Sequence, residues 1–103
     1  MAFPQVKFGY AGNIFVRQML FTNKGDVKET HVHQFDHLTL LAKGSVEVTV
    51  DGVTRTFVAP EMIWIGKDKD HQLVALEDGT LAYCIHAIRD EDGVPSNIDV
   101  TAP

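Results

Sequence analysis

Residues 25–44 read GDVKETHVHQFDHLTLLAKG and contain three of the chain's five histidines, namely His31, His33 and His37. In an extended strand the side chains alternate between two faces, so residues two positions apart lie on the same face. His31 and His33 are therefore able to bind one metal ion together, and a short turn is enough to bring His37 to the same ion. The pattern predicts a metal site built on β-strands.

The same histidines also have simpler explanations. His31 and His33 fit an exposed edge strand with two solvated imidazoles, and His37 fits a core histidine hydrogen-bonded to Asp36 or to the backbone. The glycines at both ends of the segment favour the metal site, because they complete a spacing that chance seldom supplies.

That spacing is a glycine, five residues, His-x-His, three residues, His37, six residues and a second glycine. It resembles the first motif of the cupin superfamily, in which the fourth position is most often a glutamate. With His37 there, the chain resembles the cupins whose metal site has a histidine in place of the carboxylate. It departs from the three-His-one-Glu pattern of acireductone and quercetin dioxygenases, in which the glutamate is a candidate base.

A second, looser match to the cupin motifs runs through Gly52, Pro60 and His71. The usual Pro-x-Gly is Pro60-Glu61-Met62 in this chain, but His71 keeps its place at the start of a strand. The resemblance therefore implies one divalent transition metal, with Mn, Fe, Ni, Cu and Zn as candidates. The implied ligands are His31, His33, His37 and His71.

Four neutral imidazoles leave the full charge of a divalent ion uncompensated, which makes the ion a stronger Lewis acid than one bound by a carboxylate. Nitrogen ligands suit most first-row transition metals, and the Irving–Williams order prevents affinity alone from selecting one. The donor set thus predicts a metal site and leaves the identity of the metal open.

Hydrophobic alternation predicts β-strands along most of the chain and no sustained helix. Asp51-Gly52 predicts a two-residue hairpin turn, Lys43-Gly44 predicts a tight reversal, and residues 77–79 predict another turn. The pattern is all-β, and the cupin resemblance implies a double-stranded β-helix, the jelly-roll barrel. The predicted strands are residues 14–22, 30–35, 37–42, 45–50, 53–58, 62–65, 72–76 and 80–88.

With 103 residues the chain is expected to form one domain. The cupin resemblance covers residues 14–88 and leaves an N-terminal strand in residues 1–13 and a tail in residues 89–103 as peripheral. A net charge of −5 gives no electrostatic footprint for nucleic acid or an anionic membrane, so a small molecule is the expected partner. With a single cysteine and no export signal at the start, the expected compartment is the cytoplasm.

Two further residues are candidates for catalysis. His86 shares one face of its predicted strand with Cys84, and an inward face would make it a proton carrier or substrate contact. Because both faces of that strand are apolar, the outward orientation stays open. Arg17 alternates with Phe15 and Met19, and it is either an exposed strand arginine or a guanidinium that holds a substrate carboxylate or enolate near the metal.

The resemblance implies a metal-dependent enzyme, with a dioxygenase acting on a small oxygenated or enolisable compound as the leading hypothesis. An isomerase or lyase that uses the metal only as a Lewis acid is the second hypothesis, and a ligand-binding domain without turnover is the third. Single-domain cupins commonly pair through an apolar sheet face, so a homodimer is expected. The apolar residues near the N-terminus that suit such pairing are Phe3, Val6, Phe8 and Tyr10.

Overall fold

The computed structural model of the chain describes residues 2–31, 37–66 and 69–87, and within these residues it contains nine strands and no helix. The described residues include no helix long and apolar enough to cross a membrane. The all-β expectation is confirmed. The strands are β1 Gln5–Ala11, β2 Ile14–Phe21, β3 Val27–His31, β4 His37–Lys43, β5 Ser45–Val50, β6 Val53–Val58, β7 Glu61–Ile65, β8 His71–Ala75 and β9 Thr80–Ala87.

The strands form two antiparallel sheets. One sheet has the order β1-β2-β9-β4-β7, and the other has the order β3-β8-β5-β6. The core between them draws on both sheets, and each large side chain buried there contributes about 1.5–3 kcal/mol. This is the expected double-stranded β-helix. The buried core residues are Met19, Phe21, Leu41, Val46, Val48, Ile63, Ile65, Leu73, Ala75 and Ala82.

The predicted hairpin at Asp51-Gly52 is confirmed. Both residues have positive φ angles, 48° and 82°, as the tight turn between β5 and β6 requires. The alternation in β5 is also as expected, because Val46 and Val48 are buried while Glu47 between them is only half-buried. The sequence therefore fixes the register of this hairpin.

The predicted reversal at Lys43-Gly44 is a corner instead of a hairpin. Strand β4 lies in the five-stranded sheet and β5 in the four-stranded sheet, so the chain crosses between the sheets at Gly44. The φ of Gly44 is 86°, and a Cβ built there would lie 3.0 Å from the Cα of Thr80. Backbone conformation and close approach both require glycine at this corner.

The strand predicted at residues 30–35 begins earlier, at Val27, and its part in residues 32–35 lies outside the described residues. Strand pairing explains the early start, because Ala75 N–H donates to the Asp26 carbonyl at 2.9 Å and Val27 N–H donates to the Ala2 carbonyl at 2.9 Å. The N-terminal strand, expected to be peripheral, is β1, which pairs with β2 along its whole length at the edge of the five-stranded sheet.

The outer face of the five-stranded sheet is apolar. Trp64 and Met62 of β7 are each 67% exposed, and the register aligns them with Leu38 and Leu40 of the neighbouring strand β4. On the other side of β4, Leu38 pairs with Ile85 of β9 and Leu40 pairs with Tyr83. A patch of this kind on a soluble protein commonly marks an interaction surface.

The replacement Gly44→Ala is expected to destabilise the protein by about 1–3 kcal/mol more than Gly12→Ala does. Both glycines have positive φ, but a Cβ at Gly12 would meet nothing within 4 Å. The pair therefore separates the steric contact with Thr80 from backbone strain. Thermal unfolding measures the difference, and equal melting temperatures for the two variants would contradict it.

The homodimer remains a prediction, and light scattering on the wild type is expected to give twice the mass of the chain. Trp64→Glu is expected to shift the mass towards the monomer, because a carboxylate would have to be desolvated at the apolar face. Val58→Glu, at a residue 65% exposed in the other sheet, is the control and should leave the mass unchanged. A wild type with the mass of a single chain would contradict the predicted homodimer.

Candidate metal centre

His71 lies on the inward face of β8. Exposure alternates along this strand, with His71, Leu73 and Ala75 at 3%, 1% and 1%. The register of β3 with β8 places the Cα of His31 directly opposite that of His71. Two of the four predicted ligands are therefore brought together by strand pairing.

A hydrogen bond fixes the tautomer of His71. Its Nδ1 lies 3.2 Å from the carbonyl oxygen of Lys69, and because a carbonyl oxygen only accepts, Nδ1 must carry the hydrogen. The lone pair of the neutral ring is then on Nε2. Metal-binding histidines are commonly held in this way, by a hydrogen bond from the other ring nitrogen, so His71 fits the role of a ligand.

The β5–β6 turn anchors the residues just before His71. Asp51 N–H donates to the carbonyl of Asp70 at 2.9 Å, and Asp70 N–H donates back to Asp51 Oδ1 at 3.2 Å. The ammonium of Lys69 lies 3.2 Å from Asp51 Oδ2. These contacts position the Lys69 carbonyl that orients the imidazole.

His37 is the first residue of β4, where the register places it opposite Ile65, a core residue that is 1% exposed. His33 lies outside the described residues, and so do the side chains of His31 and His37. Among the side chains that are described, no three His, Cys, Asp or Glu groups come together as a metal site. Ligation by His31, His33 and His37 therefore stays a prediction.

His86 lies on the inward face of β9. Thr80 and Ala82 are fully buried on this face, and Cys84 and His86 follow at the alternate positions. The imidazole ring of His86 is 4.9 Å from the ring of Phe15 in β2. Of the two orientations that the sequence left open, the structure has the inward one.

Arg17 also points into the barrel. Its alternate neighbours Met19 and Phe21 are fully buried, and its pairing partner in β9 is Cys84. The guanidinium carbon lies 5.4 Å from the centre of the Phe8 ring. Its Nε is buried and has no hydrogen-bond partner within the described part of the chain. Arg17 is therefore not the exposed strand arginine that was the alternative.

Lys28 is an interior cation that the sequence did not reveal. It pairs with Leu73 in the β3–β8 ladder, and directly opposed residues share one face of a sheet. Leu73 is a core residue, so Lys28 lies on the inward face. The predicted strand began after this residue, which left Lys28 without an assigned face. If the predicted strand had begun at Val27, the alternation of side chains would have assigned Lys28 to one face of the sheet.

The charges of both interior cations affect the pKa of the Cys84 thiol. Burial raises the pKa of this thiol above its ordinary value of 9.0, while a hydrogen bond with Thr39 and the charges of Arg17 and Lys28 lower it in part. Thr39 Oγ1 and Cys84 Sγ are 3.5 Å apart. Arg17 and Lys28 thus act on one point of the interior from opposite sheets. A raised pKa also disfavours the thiolate form that a nucleophilic Cys84 would need.

An apolar cavity of about 250 Å³ lies between the edge strands β6 and β7, and its lining includes Val50 and Ile65, the pairing partners of His71 and His37. The aromatic residues Phe57 and Trp64 line it together with Arg55. Arg55 is exposed, and its guanidinium carbon lies 5.5 Å from the centre of the Phe57 ring.

Comparison with solved structures identifies the fold. KdgF from a Halomonas species superposes with a TM-score of 0.74 at 23% identity, covering 85% of this chain and 81% of its own. A cupin 2 conserved barrel domain protein from Salinispora arenicola superposes with a TM-score of 0.73 at 18% identity, covering 88% of this chain and 79% of its own.

An RmlC-like cupin family protein with a double-stranded β-helix fold, from Methanocaldococcus jannaschii, gives a TM-score of 0.71 at 9% identity, covering 85% and 83%. No protein-family model and no curated protein matches the sequence. At these identities the likeness establishes the cupin fold.

The raised pKa of Cys84 predicts a specific dependence of stability on pH. The neutral thiol is favoured in the folded state, so its contribution is complete below 9.0 and is lost as the pH rises through the higher native pKa. The free energy of unfolding of the wild type, measured by urea denaturation relative to Cys84→Ala, should therefore fall as the pH rises above 9.0. A difference that stays constant as the pH rises would contradict the expectation.

Proposed function

We propose that the protein is a metal-dependent enzyme of the cupin superfamily and that it catalyses the dioxygenation of a small oxygenated or enolisable compound. One observation carries the proposal: the Cα of His31 stands opposite that of the buried His71, whose Nδ1 donates to the Lys69 carbonyl. A ring held in this tautomer presents the nitrogen that a metal requires.

The proposed ligands are His31, His33, His37 and His71. Strand pairing supports the first and the last of these, and the position of His37 opposite the core residue Ile65 is compatible with a third ligand from the other sheet. A divalent transition metal in this site would supply Lewis acidity towards substrate oxygens and, if redox-active, electron exchange with dioxygen.

The chain's own residues bind the substrate and move its protons. Arg17 directs a guanidinium into the barrel, where it binds an anionic or enolate oxygen. His86 lies on the same inward face, where its imidazole is proposed to accept or donate a proton during the reaction. The fully buried Met19 and Ala82 close the interior beyond these groups and exclude water from it.

Elemental analysis of protein purified without a nickel column tests the metal site. The wild type is expected to contain close to one Mn, Fe, Ni, Cu or Zn per chain. His33→Ala is expected to lose most of it, because loss of one ligand sharply weakens a four-ligand site. His86→Ala is the matched control: it should keep the metal and lose activity. A wild type that contains no metal even after reconstitution would contradict the proposal of a metal-dependent enzyme.

Oxygen uptake on the same metal-loaded samples tests the reaction. With diketones and phenols as substrates, the wild type is expected to consume oxygen, and His33→Ala is not. Turnover of a substrate under strictly anaerobic conditions would replace the dioxygenase by a Lewis-acid isomerase or lyase. A metal-loaded protein that binds these compounds without turnover would be a ligand-binding domain.

A further inference from the structure

We propose that the cavity between β6 and β7 binds a small aromatic carboxylate, with its ring in the apolar cavity and its carboxylate on Arg55. The inference deepens the proposed function by naming the substrate class. Only the role of this ligand as the substrate rests on that function. The binding site itself rests on the residues that line the cavity.

The walls of the cavity are apolar. It lies between the open edges of the two sheets, where β6 ends the four-stranded sheet and β7 ends the five-stranded sheet. Of the residues that line it, Val48, Ile63 and Ile65 belong to the core and are 2%, 6% and 1% exposed. Such walls favour an apolar group over water.

The inward face of β6 supplies one side of the cavity. Arg55 pairs with Val48 and Val53 pairs with Val50, and directly opposed residues share one face of a sheet. Val48 is buried in the core, so Arg55 and Val53 also face the barrel side of the sheet. Val53 is nevertheless 65% exposed. A ligand in the cavity would cover this apolar side chain and remove its surface from water.

The indole ring of Trp64 lines the cavity on the side of β7. A Cβ built at Gly66 would lie 3.1 Å from Cη2 of Trp64, so the ring packs over the end of β7 against this glycine. Phe57 supplies a second aromatic ring from β6. Aromatic rings pack favourably against one another in offset or edge-to-face arrangements, so these two side chains favour an aromatic ligand.

The volume of the cavity limits the ligand to one ring. The cavity measures about 250 Å³, and an apolar cavity of about 150 Å³ is large enough to hold benzene. The remaining space fits a short side chain on the ring and is too small for a second fused ring.

Arg55 determines the charge that the ligand should carry. The residues that line the cavity include two cations, Arg55 and Lys69, and no Asp or Glu. Lys69 is paired with Asp51 at 3.2 Å, whereas no ion pair joins Arg55 to a carboxylate within the described part of the chain. The planar guanidinium matches the two oxygens of a carboxylate, so an anionic group on the ligand complements this side of the cavity.

The cavity extends to the layer of the predicted metal ligands. Val50 pairs with His71 and Ile65 pairs with His37, and both partners line the cavity. Arg55 lies two strands from β8 and one layer lower, which is roughly 10 Å across the sheet and roughly 6.6 Å along it. A ring with a short side chain bridges this separation when its carboxylate lies on Arg55. The ring then points towards the histidines.

Titration of the metal-free protein with 3-phenylpropanoate tests the site. Trp64 is the chain's single tryptophan, so its fluorescence reports on this cavity, and calorimetry gives an independent affinity. The wild type is expected to show a saturable change in emission. It should bind 3-phenylpropanoate at least about tenfold more tightly than 3-phenylpropanamide, which lacks the charge, or butanoate, which lacks the ring. Equal affinity for either analogue would overturn the proposal.

Arg55→Gln is expected to weaken the binding of 3-phenylpropanoate about tenfold and to leave that of 3-phenylpropanamide unchanged, because only the charged partner is removed. Arg17→Gln is the matched control, since Arg17 also lies over a phenylalanine ring, at 5.4 Å, but does not line the cavity. It should bind both compounds like the wild type. Loss of 3-phenylpropanoate binding in Arg17→Gln, with unchanged binding in Arg55→Gln, would place the carboxylate elsewhere in the barrel and overturn the proposal.

The variant Val53→Phe tests the position of the ring. Because Val53 is exposed, a larger apolar side chain there should leave the melting temperature unchanged while it occupies part of the cavity. The affinities for 3-phenylpropanoate and 3-phenylpropanamide should both fall at least about tenfold. Undiminished binding of both compounds by a folded Val53→Phe would show that the ring lies outside this cavity.

The metal content of the same samples keeps the two proposals apart. Binding of 3-phenylpropanoate that depends on Arg55, in a protein that takes up no metal even after reconstitution, would overturn the proposed function and support the cavity site. A stoichiometric metal without any preference for 3-phenylpropanoate over its amide would overturn the cavity site and leave the metal site standing.

Discussion

The pairing register of the inner strands β9 and β8 is the constraint on which the interior depends. In an antiparallel ladder a slip of one residue turns every side chain to the other face. The pairing of Arg17 with Cys84 and the pairing of Lys28 with Leu73 place both cations inside the barrel. Because the same registers bury Met19 and Leu73, the packing of the core and the placement of the polar groups are fixed by one set of hydrogen bonds.

The sequence predicted those parts of the fold whose signals are local. The Asp51-Gly52 turn and the alternation of β5 depend on neighbouring residues, and both are confirmed. The corner at Gly44 was predicted only as a reversal, because its constraint comes from Thr80, a residue 36 positions away in the sequence. The start of β3 at Val27 likewise depends on hydrogen bonds to distant residues.

The site shows the same division between local and distant signals. Histidine spacing is a property of a short segment, and it led to His31 and His71, whose Cα positions the structure pairs. The orientation of Arg17 and His86 could not be read from strands with two apolar faces, since the second apolar face is the uncovered outer face of the sheet. The inward orientation of Lys28 was not predicted, because a strand boundary that is wrong by a few residues leaves a residue without an assigned face.

The interior combines features that do not maximise stability. The buried Nε of Arg17, which has no hydrogen-bond partner within the described part of the chain, costs free energy in a barrel that would pack well with an apolar side chain in its place. Proteins tolerate such costs mainly where a ligand compensates them. Neutral imidazole ligands would leave the full charge of a divalent metal uncompensated in this interior, whereas a glutamate ligand would reduce it. Four neutral imidazole ligands and the inward guanidinium of Arg17 would therefore favour the same kind of substrate, one that brings its own negative charge.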